Sequence, residues 1–339
     1  MAVRKTATRS AFPIMKQIVL NKPGEFILRE VPDLTPEPGQ VLVRVRRIGV
    51  CGTDIHAFHG RQPFFDYPRV LGHEVGVEVV AVPDGVVSLA VGDLCSVEPY
   101  MNCGTCIACR AGKTNCCETL KVFGVHIDGG HQELLHVPAH KLHPANDLSL
   151  DQLALVETLG IGAHGVERAD IRDGEFVLIV GAGPIGLSAM PFAMARGARL
   201  AVMDINEQRM AFCREQLGVP FTVDARDPGL ADRLREFGGG DLPTAILDAT
   251  GTAKSMESCF DLAAQGGRMV FVGLINGRVS FDDPNFHRRE LSVHASRNAL
   301  SSTFKDIIAL IRAGKIDTTP WITHRMAFED VPARFADTT

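Results

Sequence analysis

Apolar and polar positions alternate with a period of two in the first part of the chain. In "GQVLVRVRRIGV" (39–50) apolar residues alternate with basic ones, and "EVGVEVVAV" (74–82) is a second segment of this kind. This periodicity is typical of strands that bury one face. Turn sequences such as "KPGE", "TPEPGQ" and "VGD" separate such segments. We therefore predict an antiparallel, barrel-like β domain that extends from near residue 15 to about residue 100.

The pattern changes after Gly174, where short apolar runs have the length of strands. These runs are "FVLIV", "RLAVMD", "TAILDAT" and "RMVFVG". Between them lie helical stretches such as "NEQRMAFCREQLG" and "KSMESCFDLAAQGG", which end on glycine as helices commonly do. Apolar strands that alternate with helices indicate a parallel sheet covered on both faces. A further amphipathic helix is predicted for "TFKDIIALIRAGKI".

Length and composition favour two globular domains. The chain has 339 residues, of which 45% are hydrophobic and 22% charged, and single hydrophobic cores rarely grow beyond about 250–300 residues. The formal net charge of −5 gives no general attraction to nucleic acid or to an anionic membrane. We therefore expect neither a nucleic-acid nor a membrane partner.

No export or membrane segment is predicted. The basic N-terminal stretch is short and lacks the apolar region of a secretory signal, so we expect a loose extension before Met15. Residues 176–195 carry no charge, but glycine and proline interrupt them repeatedly. A cytoplasmic location is expected, and in that reducing compartment an odd number of cysteines, nine, argues against a disulfide framework.

Five of the nine cysteines lie in "CGTCIACRAGKTNCC" (103–117). Closely spaced thiolates on one loop can surround a tetrahedral cation, and four of them leave no open coordination position. We therefore predict a structural zinc site, with an iron–sulfur cluster as the alternative. Cys116 could replace Cys117 as the fourth ligand. The predicted ligands are Cys103, Cys106, Cys109 and Cys117.

The order of motifs resembles a known family. "CGTD", then "GHEVGVEVV", the four-cysteine segment and "GAGPIG" resemble the zinc-dependent medium-chain dehydrogenases, in particular their polyol, sugar-acid and threonine dehydrogenase branch. The resemblance extends from Met15 nearly to the last residue. It implies an α/β fold with a GroES-like, β-rich catalytic domain (1–168 and 299–339) and a Rossmann domain with a doubly wound parallel sheet (169–298). It also implies a homo-oligomer, a tetramer or a dimer.

The resemblance implies a second, catalytic zinc. Its ligands fall on Cys51, His73 and Glu74, and Glu157 matches a nearby carboxylate that either binds the zinc or holds its water. A thiolate, an imidazole and a carboxylate leave one coordination position open. There zinc acts as a Lewis acid and lowers the pKa of a hydroxyl group. Thr158 stands where the family usually has proline after this glutamate, and the chain ends at "ARFADTT", before the family's final strand.

Two further residues match the family's proton relay. Thr53 corresponds to its hydroxyl residue after "CG", and His56 corresponds to the histidine that continues the relay. An imidazole titrates near neutral pH and suits this work. The alternative for Thr53 is that it caps a helix starting at Asp54.

The cofactor motif is G-x-G-x-x-G at Gly181, Gly183 and Gly186. It follows a predicted strand and enters a helix, so that the backbone can approach a pyrophosphate. Pro184 suits the first helical turn, whereas Pro191 is expected to kink the helix.

Asp204 follows at the end of the next strand, where a carboxylate binds the ribose and favours NAD over NADP. The resemblance adds a further set of cofactor contacts: Ile185, Arg209, Val272, Gly273, Leu274, Ser296 and Arg297.

Together these motifs predict an oxidoreductase with two zinc ions per chain that transfers hydride to NAD. The resemblance implies that its substrate is a small molecule, a secondary alcohol of a polyol, a sugar acid or a related hydroxy compound. An L-threonine 3-dehydrogenase is the alternative activity. A zinc-stabilised, non-catalytic nucleotide sensor is the alternative from another class.

Overall fold

The structure, a computed structural model, describes residues 13–62 and 65–338. They form two compact units. The described part of the first unit comprises residues 13–62, 65–101, 121–154 and 324–338, and the second unit comprises 102–120 and 155–323. The predicted domain boundaries at 168/169 and 298/299 stay a prediction. None of the helices formed by the described residues is long and apolar enough to cross a membrane.

The strands of the described residues are, in chain order, β1 (Ile14–Lys22), β2 (Glu25–Pro32), β3 (Gln40–Gly49), β4 (Glu74–Ala81), β5 (Leu94–Val97), β6 (Tyr100–Met101), β7 (Lys121–Val122), β8 (Leu134–Pro138), β9 (Leu142–Pro144), β10 (Phe176–Val180), β11 (Arg199–Asp204), β12 (Phe221–Asp224), β13 (Ala245–Asp248), β14 (Arg268–Phe271) and β15 (Ser292–Ala295). The helices are α1 (Gly52–Phe58), α2 (Ile107–Arg110), α3 (Leu150–Ala169), α4 (Pro184–Ala195), α5 (Glu207–Leu217), α6 (Leu230–Gly238), α7 (Ala253–Leu262), α8 (Asp283–Arg288), α9 (Ser301–Arg312) and α10 (Val331–Arg334).

The first unit contains the predicted antiparallel β structure. Its main sheet has five strands in the order β8-β3-β4-β5-β9, and β1 pairs with β2 in a separate hairpin. The two alternating segments of the sequence are β3 and β4. In β3, Val41 and Val43 belong to one buried cluster and Leu42 to another, because successive strand side chains point to opposite faces.

The C-terminal segment of the first unit packs against its N-terminal hairpin. The Phe335 ring lies 4.9 Å from that of Phe26 and 5.2 Å from that of Phe58, measured between centroids. Burial of three aromatic rings in one cluster is a large apolar contribution. This contact holds residues 324–338 to the β-rich unit.

The second unit is built on a six-stranded parallel sheet. The strand order β12-β11-β10-β13-β14-β15 is that of a doubly wound dinucleotide-binding fold. The four predicted apolar runs contain β10, β11, β13 and β14. The first helical stretch contains α5, and the second covers α7 except for its first residue, Ala253. β10 is buried at all five positions, as expected for a central strand covered on both faces. The prediction of an α/β fold with a Rossmann sheet is confirmed.

Candidate active site and metal centres

The pairing of β3 with β4 places the first group of metal-competent side chains. Gly49 is the register partner of Glu74 in this antiparallel pair. Cys51 follows the end of β3 and His73 precedes the start of β4, so both lie at the same end of the pair. A shift of the register by one residue would turn the Glu74 side chain to the opposite face.

Cys51, His73 and Glu74 converge on one point. One potential ligand atom from each lies within 4.8 Å of the other two. The His73 and Glu74 side chains are buried, whereas Cys51 is partly accessible. A thiolate, an imidazole and a carboxylate are three ligands that zinc accepts, with a fourth position left open.

Gly49 is needed beside this group. A Cβ atom at that position would lie 2.0 Å from Glu74 Oε2, far inside van der Waals contact. The missing side chain therefore leaves the space that the Glu74 carboxylate occupies. A side chain at Gly49 would therefore displace the Glu74 side chain from its present position.

Asp54 lies close to both Cys51 and His73, and the sequence did not lead us to predict a role for it. Its Oδ2 accepts a hydrogen bond from the Cys51 N–H at 3.0 Å, and its Oδ1 lies 3.7 Å from His73 Nδ1. The carboxylate is only 1% exposed. A carboxylate behind a ligating histidine fixes the ring orientation and raises the basicity of the ligand. Its position three residues after Cys51, in a first helical turn, is the sequence signal that could have found it.

The electrostatics of the group suit a cation. Burial raises the pKa of the Cys51 thiol, and the adjacent His73 offsets this only in part. Burial also lowers the pKa of His131, a buried histidine whose ring approaches Gly72. Divalent metals displace the thiol proton and bind the thiolate and the neutral imidazole. The donor set therefore fits a zinc ion.

The proposed relay residues lie on one short helix. α1 begins at Gly52, so Thr53 lies in its first turn and does not cap a helix starting at Asp54; that alternative is wrong. Thr53 is half-buried and His56 is exposed. Residues three apart on a helix are neighbours on its surface. Their relay role stays a prediction.

Glu157 lies on α3 and is 4% exposed. It belongs to the second unit, whereas Cys51, His73 and Glu74 belong to the first. Its role at the zinc therefore stays a prediction.

The second metal-competent group is the four-cysteine lobe, residues 102–120 of the second unit. Its sulfur atoms all lie within 4.8 Å of one another, and they belong to Cys103, Cys106, Cys109 and Cys117. Cys117 is buried, whereas Cys116 is exposed and lies outside the group. All nine cysteines of the chain are free thiols.

Hydrogen bonds within the lobe stabilise the thiolate form of Cys103, which is the form that binds a cation. Cys103 Sγ accepts from the Thr105 N–H at 3.4 Å and from the Cys106 N–H at 3.3 Å. The bonds from Thr105 and Cys106 lower the pKa of Cys103 to about 5. Desolvation, followed by the neighbouring Cys106, raises the pKa of Cys109 to about 11. All four sulfurs are thiolates together only around a cation, so the lobe fits a structural zinc.

The glycine-rich motif forms the turn between β10 and α4. Gly181 has φ +94°, a conformation that glycine adopts without strain, and Gly183 precedes Pro184 at the start of α4. A Cβ at Gly186 would lie 1.7 Å from the Gly181 carbonyl oxygen, so the helix approaches the turn closely. This geometry presents a helix N-terminus to a pyrophosphate. α4 continues through Pro191 to Ala195.

Asp204 ends β11 beside this turn. Its Oδ2 accepts from the Ala182 N–H at 2.6 Å and its Oδ1 accepts from the Asn206 N–H at 2.8 Å. The carboxylate thus ties the glycine-rich turn to the neighbouring strand. The Arg209 guanidinium lies 3.9 Å from the Cβ position of Gly183, on the same side of the turn.

The remaining predicted cofactor residues follow the next strands of the sheet. The N–H groups of Val272 and Gly273 both donate to the Asp248 carbonyl, at 2.9 and 3.0 Å. Leu274 is exposed, and Ser296 directly follows β15. These segments lie at the carboxyl edge of the sheet, as the glycine-rich turn does, and this is the edge where dinucleotides bind.

Comparison with known proteins identifies the family. Residues 37–147 match the alcohol dehydrogenase GroES-like domain, and residues 184–313 match the zinc-binding dehydrogenase domain. The chain belongs to the zinc-binding alcohol dehydrogenase family. The predictions of the family, of its two-domain fold and of dehydrogenase chemistry are confirmed.

Relatives with named activities cover nearly the whole chain. The L-galactonate-5-dehydrogenase of Escherichia coli K12 is 41% identical over 93% of this chain and 92% of its own. The D-altritol 5-dehydrogenase of Agrobacterium fabrum is 33% identical over 94% of each chain. The crystal structure of the alcohol dehydrogenase RspB of E. coli CFT073 with NADH is 30% identical, covers 95% of each chain and superposes with a TM-score of 0.89.

The two adjacent cysteines of the lobe give a first prediction. Cys117→Ser is expected to lose one zinc ion per chain and to lower Tm, because it removes one of four converging sulfurs. Cys116→Ser is the matched control and should keep both zinc ions. Metal analysis of the purified variants measures the difference. Loss of zinc from Cys116→Ser and its retention in Cys117→Ser would reverse the assignment.

Asp54 gives a second prediction. Asp54→Asn is expected to weaken zinc binding at the Cys51 group by about 10–100-fold. A neutral amide fixes the orientation of the His73 ring less firmly and raises the basicity of the imidazole less than a carboxylate does. Competition with a chromogenic chelator measures the affinity. Asp84→Asn, at an exposed position of the same unit, serves as the control. An unchanged zinc affinity in Asp54→Asn would exclude this role.

Proposed function

We propose that this enzyme oxidises a secondary alcohol of a sugar acid or polyol to the corresponding ketone, with NAD as hydride acceptor. The observation that carries the proposal is the convergence of Cys51, His73 and Glu74 within 4.8 Å, with Asp54 behind His73. The named relatives act on L-galactonate and D-altritol, both hydroxylated carbon chains. Their sequences align with this chain over nearly its full length.

We assign the zinc sites by their ligand sets. Cys51, His73 and Glu74 would hold the catalytic ion, with Glu157 as the additional carboxylate. A zinc ion in this set supplies Lewis acidity, which lowers the pKa of an alcohol hydroxyl that it polarises. The lobe cysteines would hold a structural ion, because four thiolates leave no open position.

Two side chains of the protein then transfer the proton of the substrate hydroxyl to water. The Thr53 hydroxyl accepts a hydrogen bond from the substrate hydroxyl and donates one onward. His56, exposed at the solvent side of α1, passes the proton to water, which suits an imidazole. NAD bound at the carboxyl edge of the parallel sheet would supply the acceptor for the hydrogen of the substrate carbon with both its electrons. The balance is one alcohol and NAD⁺ giving one ketone, NADH and one proton.

The cofactor would lie along the carboxyl edge of the parallel sheet. The turn 181–186 and the N-terminus of α4 would hold the pyrophosphate. The Asp204 carboxylate would bind the adenosine ribose, with Arg209 on the same side of the turn. Val272–Leu274 and Ser296–Arg297 would hold the nicotinamide half. An acidic residue at the end of the second strand of the fold favours NAD over NADP.

The proposal also includes a cellular compartment and an oligomeric state for the enzyme. Nine free thiols support a reducing compartment such as the cytoplasm. We propose a homo-oligomer, with a tetramer favoured over a dimer, from the resemblance of the sequence to this family.

A substrate panel tests the function. We expect NADH formation with L-galactonate and D-altritol, at a higher kcat/KM than with L-threonine. A zinc chelator should abolish the activity and added zinc should restore it. A chain that binds NAD and zinc yet reduces NAD with no alcohol of the panel would be the non-catalytic sensor. Preferred oxidation of L-threonine would favour the threonine dehydrogenase instead.

Asp204 tests the cofactor assignment. Asp204→Ala is expected to raise KM for NAD about tenfold, because the ribose acceptor and the anchor of the glycine-rich turn are both lost. The ratio of kcat/KM for NADP to that for NAD should rise, since the carboxylate no longer repels a 2′-phosphate. Asp224→Ala is the matched control, because Asp224 is its register partner on β12 and pairs with Arg226. An unchanged coenzyme preference in Asp204→Ala would refute the assignment.

A further inference from the structure

A buried amide connects the four-cysteine lobe to the rest of the second unit. Asn115 lies in the short helical turn before Cys117 and is 4% exposed. Its Nδ2 contacts His164 Nε2 at 3.1 Å and donates to the Arg297 carbonyl oxygen at 2.8 Å. One side chain of the lobe therefore reaches both α3 and the segment after β15.

The direction of these hydrogen bonds follows from their partners. The Arg297 carbonyl can only accept, so the amide nitrogen of Asn115 must face it. The second N–H of the same nitrogen then donates to Nε2 of His164. This leaves the proton of the neutral ring on Nδ1, which donates to Glu167 Oε2 at 3.1 Å. Each donor in the chain has one acceptor.

The chain of hydrogen bonds ends on α9. The Thr303 hydroxyl lies 3.4 Å from each carboxylate oxygen of Glu167, and Thr303 is 1% exposed. Asn115, His164 and Thr303 are all buried. Buried polar networks with every member paired hold their parts in one arrangement, and loss of a single member is costly.

The segment 296–298, which this network contacts, contains a strained residue and two buried polar atoms without hydrogen bonds to any residue that the structure describes. Asn298 has φ +52°, a left-handed conformation that costs energy in residues other than glycine. The Ser296 Oγ and Asn298 Nδ2 atoms are buried without a hydrogen-bond partner among the described residues. The contact from Asn115 to the Arg297 carbonyl lies between them and holds the backbone of the segment.

The position of the segment indicates which part of a dinucleotide it meets. The sheet order places β11 on one side of β10 and β13, β14 and β15 on the other. Asp204 at the end of β11 marks the adenosine half and the turn 181–186 marks the pyrophosphate. The other half of the cofactor must extend over the ends of β13–β15, toward residues 296–298.

We propose that Asn115 and His164 are positioning residues that hold the segment 296–298 against the nicotinamide half of the cofactor, so that the four-cysteine lobe sets cofactor affinity as well as stability. The inference rests on the proposed NAD-dependent function. Asn115 acts through the Arg297 carbonyl and is not itself a catalytic residue. The lobe is thereby linked to the cofactor without contributing a ligand to the catalytic ion.

Binding of two ligands to the zinc-loaded protein tests the proposal. Asn115→Asp keeps the size of the side chain but cannot donate to the Arg297 carbonyl. We expect its Kd for NADH to rise about tenfold, as for two lost hydrogen bonds. Its Kd for ADP-ribose, which lacks nicotinamide, should change by less than about twofold. Calorimetry measures both constants without turnover.

Three further variants sharpen the test. His164→Leu removes one acceptor and should weaken NADH binding about threefold, whereas His164→Gln retains an acceptor and should restore most of it. Lys113→Gln, exposed on the same lobe, is the matched control and should bind both ligands as wild type does. Every variant should keep two zinc ions per chain.

Three outcomes would overturn the proposal. Equal weakening of NADH and ADP-ribose in Asn115→Asp, or loss of zinc together with weakened binding, would show that Asn115 only stabilises the fold. Unchanged NADH binding in Asn115→Asp would show that the segment needs no such support. If the wild-type chain binds neither NADH nor ADP-ribose, the proposed cofactor site is wrong, and this inference is wrong with it.

Discussion

The antiparallel register between β3 and β4 is the constraint on which the candidate catalytic centre depends. Gly49 opposite Glu74 leaves room for the carboxylate, and the turn into α1 brings Cys51 beside His73. The register is held by the valines that both strands bury in one cluster, because a slip by one residue would expose them. The apolar core of the first unit therefore fixes the geometry of a polar, candidate metal-binding site.

The two candidate metal centres differ in how much of the fold they require. The four sulfurs of the lobe come from fifteen consecutive residues, 103–117, so that only short loops must close around the ion. Hydrogen bonds within the lobe already lower the pKa of Cys103 to about 5. The other group joins residues at the adjacent ends of two paired strands, β3 and β4, and needs the sheet before its ligands meet. Its thiol, on Cys51, has its pKa raised by burial, so the ion itself must favour the thiolate.

Local patterns explain what the sequence could predict. Alternation in β3 and β4, continuous apolar runs in β10 and β11, the glycine spacing of 181–186 and the cysteine spacing of the lobe all depend on near neighbours in the chain. β12 and β15 were not predicted, since they are short and β15 is mostly exposed at the sheet edge. α4 continues past Pro191 because its buried surroundings outweigh the local propensity. Asp54 had a local signal in its position three residues after Cys51, but its approach to His73 is a tertiary contact. Asn115 between His164 and Arg297 depends on tertiary contacts that no spacing encodes.

Anomalous diffraction at the zinc absorption edge, from crystals of the zinc-loaded protein, tests the central claim most directly. The account predicts two anomalous peaks per chain. One should lie among the four lobe sulfurs and the other within bonding distance of the side chains of Cys51, His73 and Glu74. A single peak in the lobe, with Cys51 and His73 directed away from each other, would contradict it.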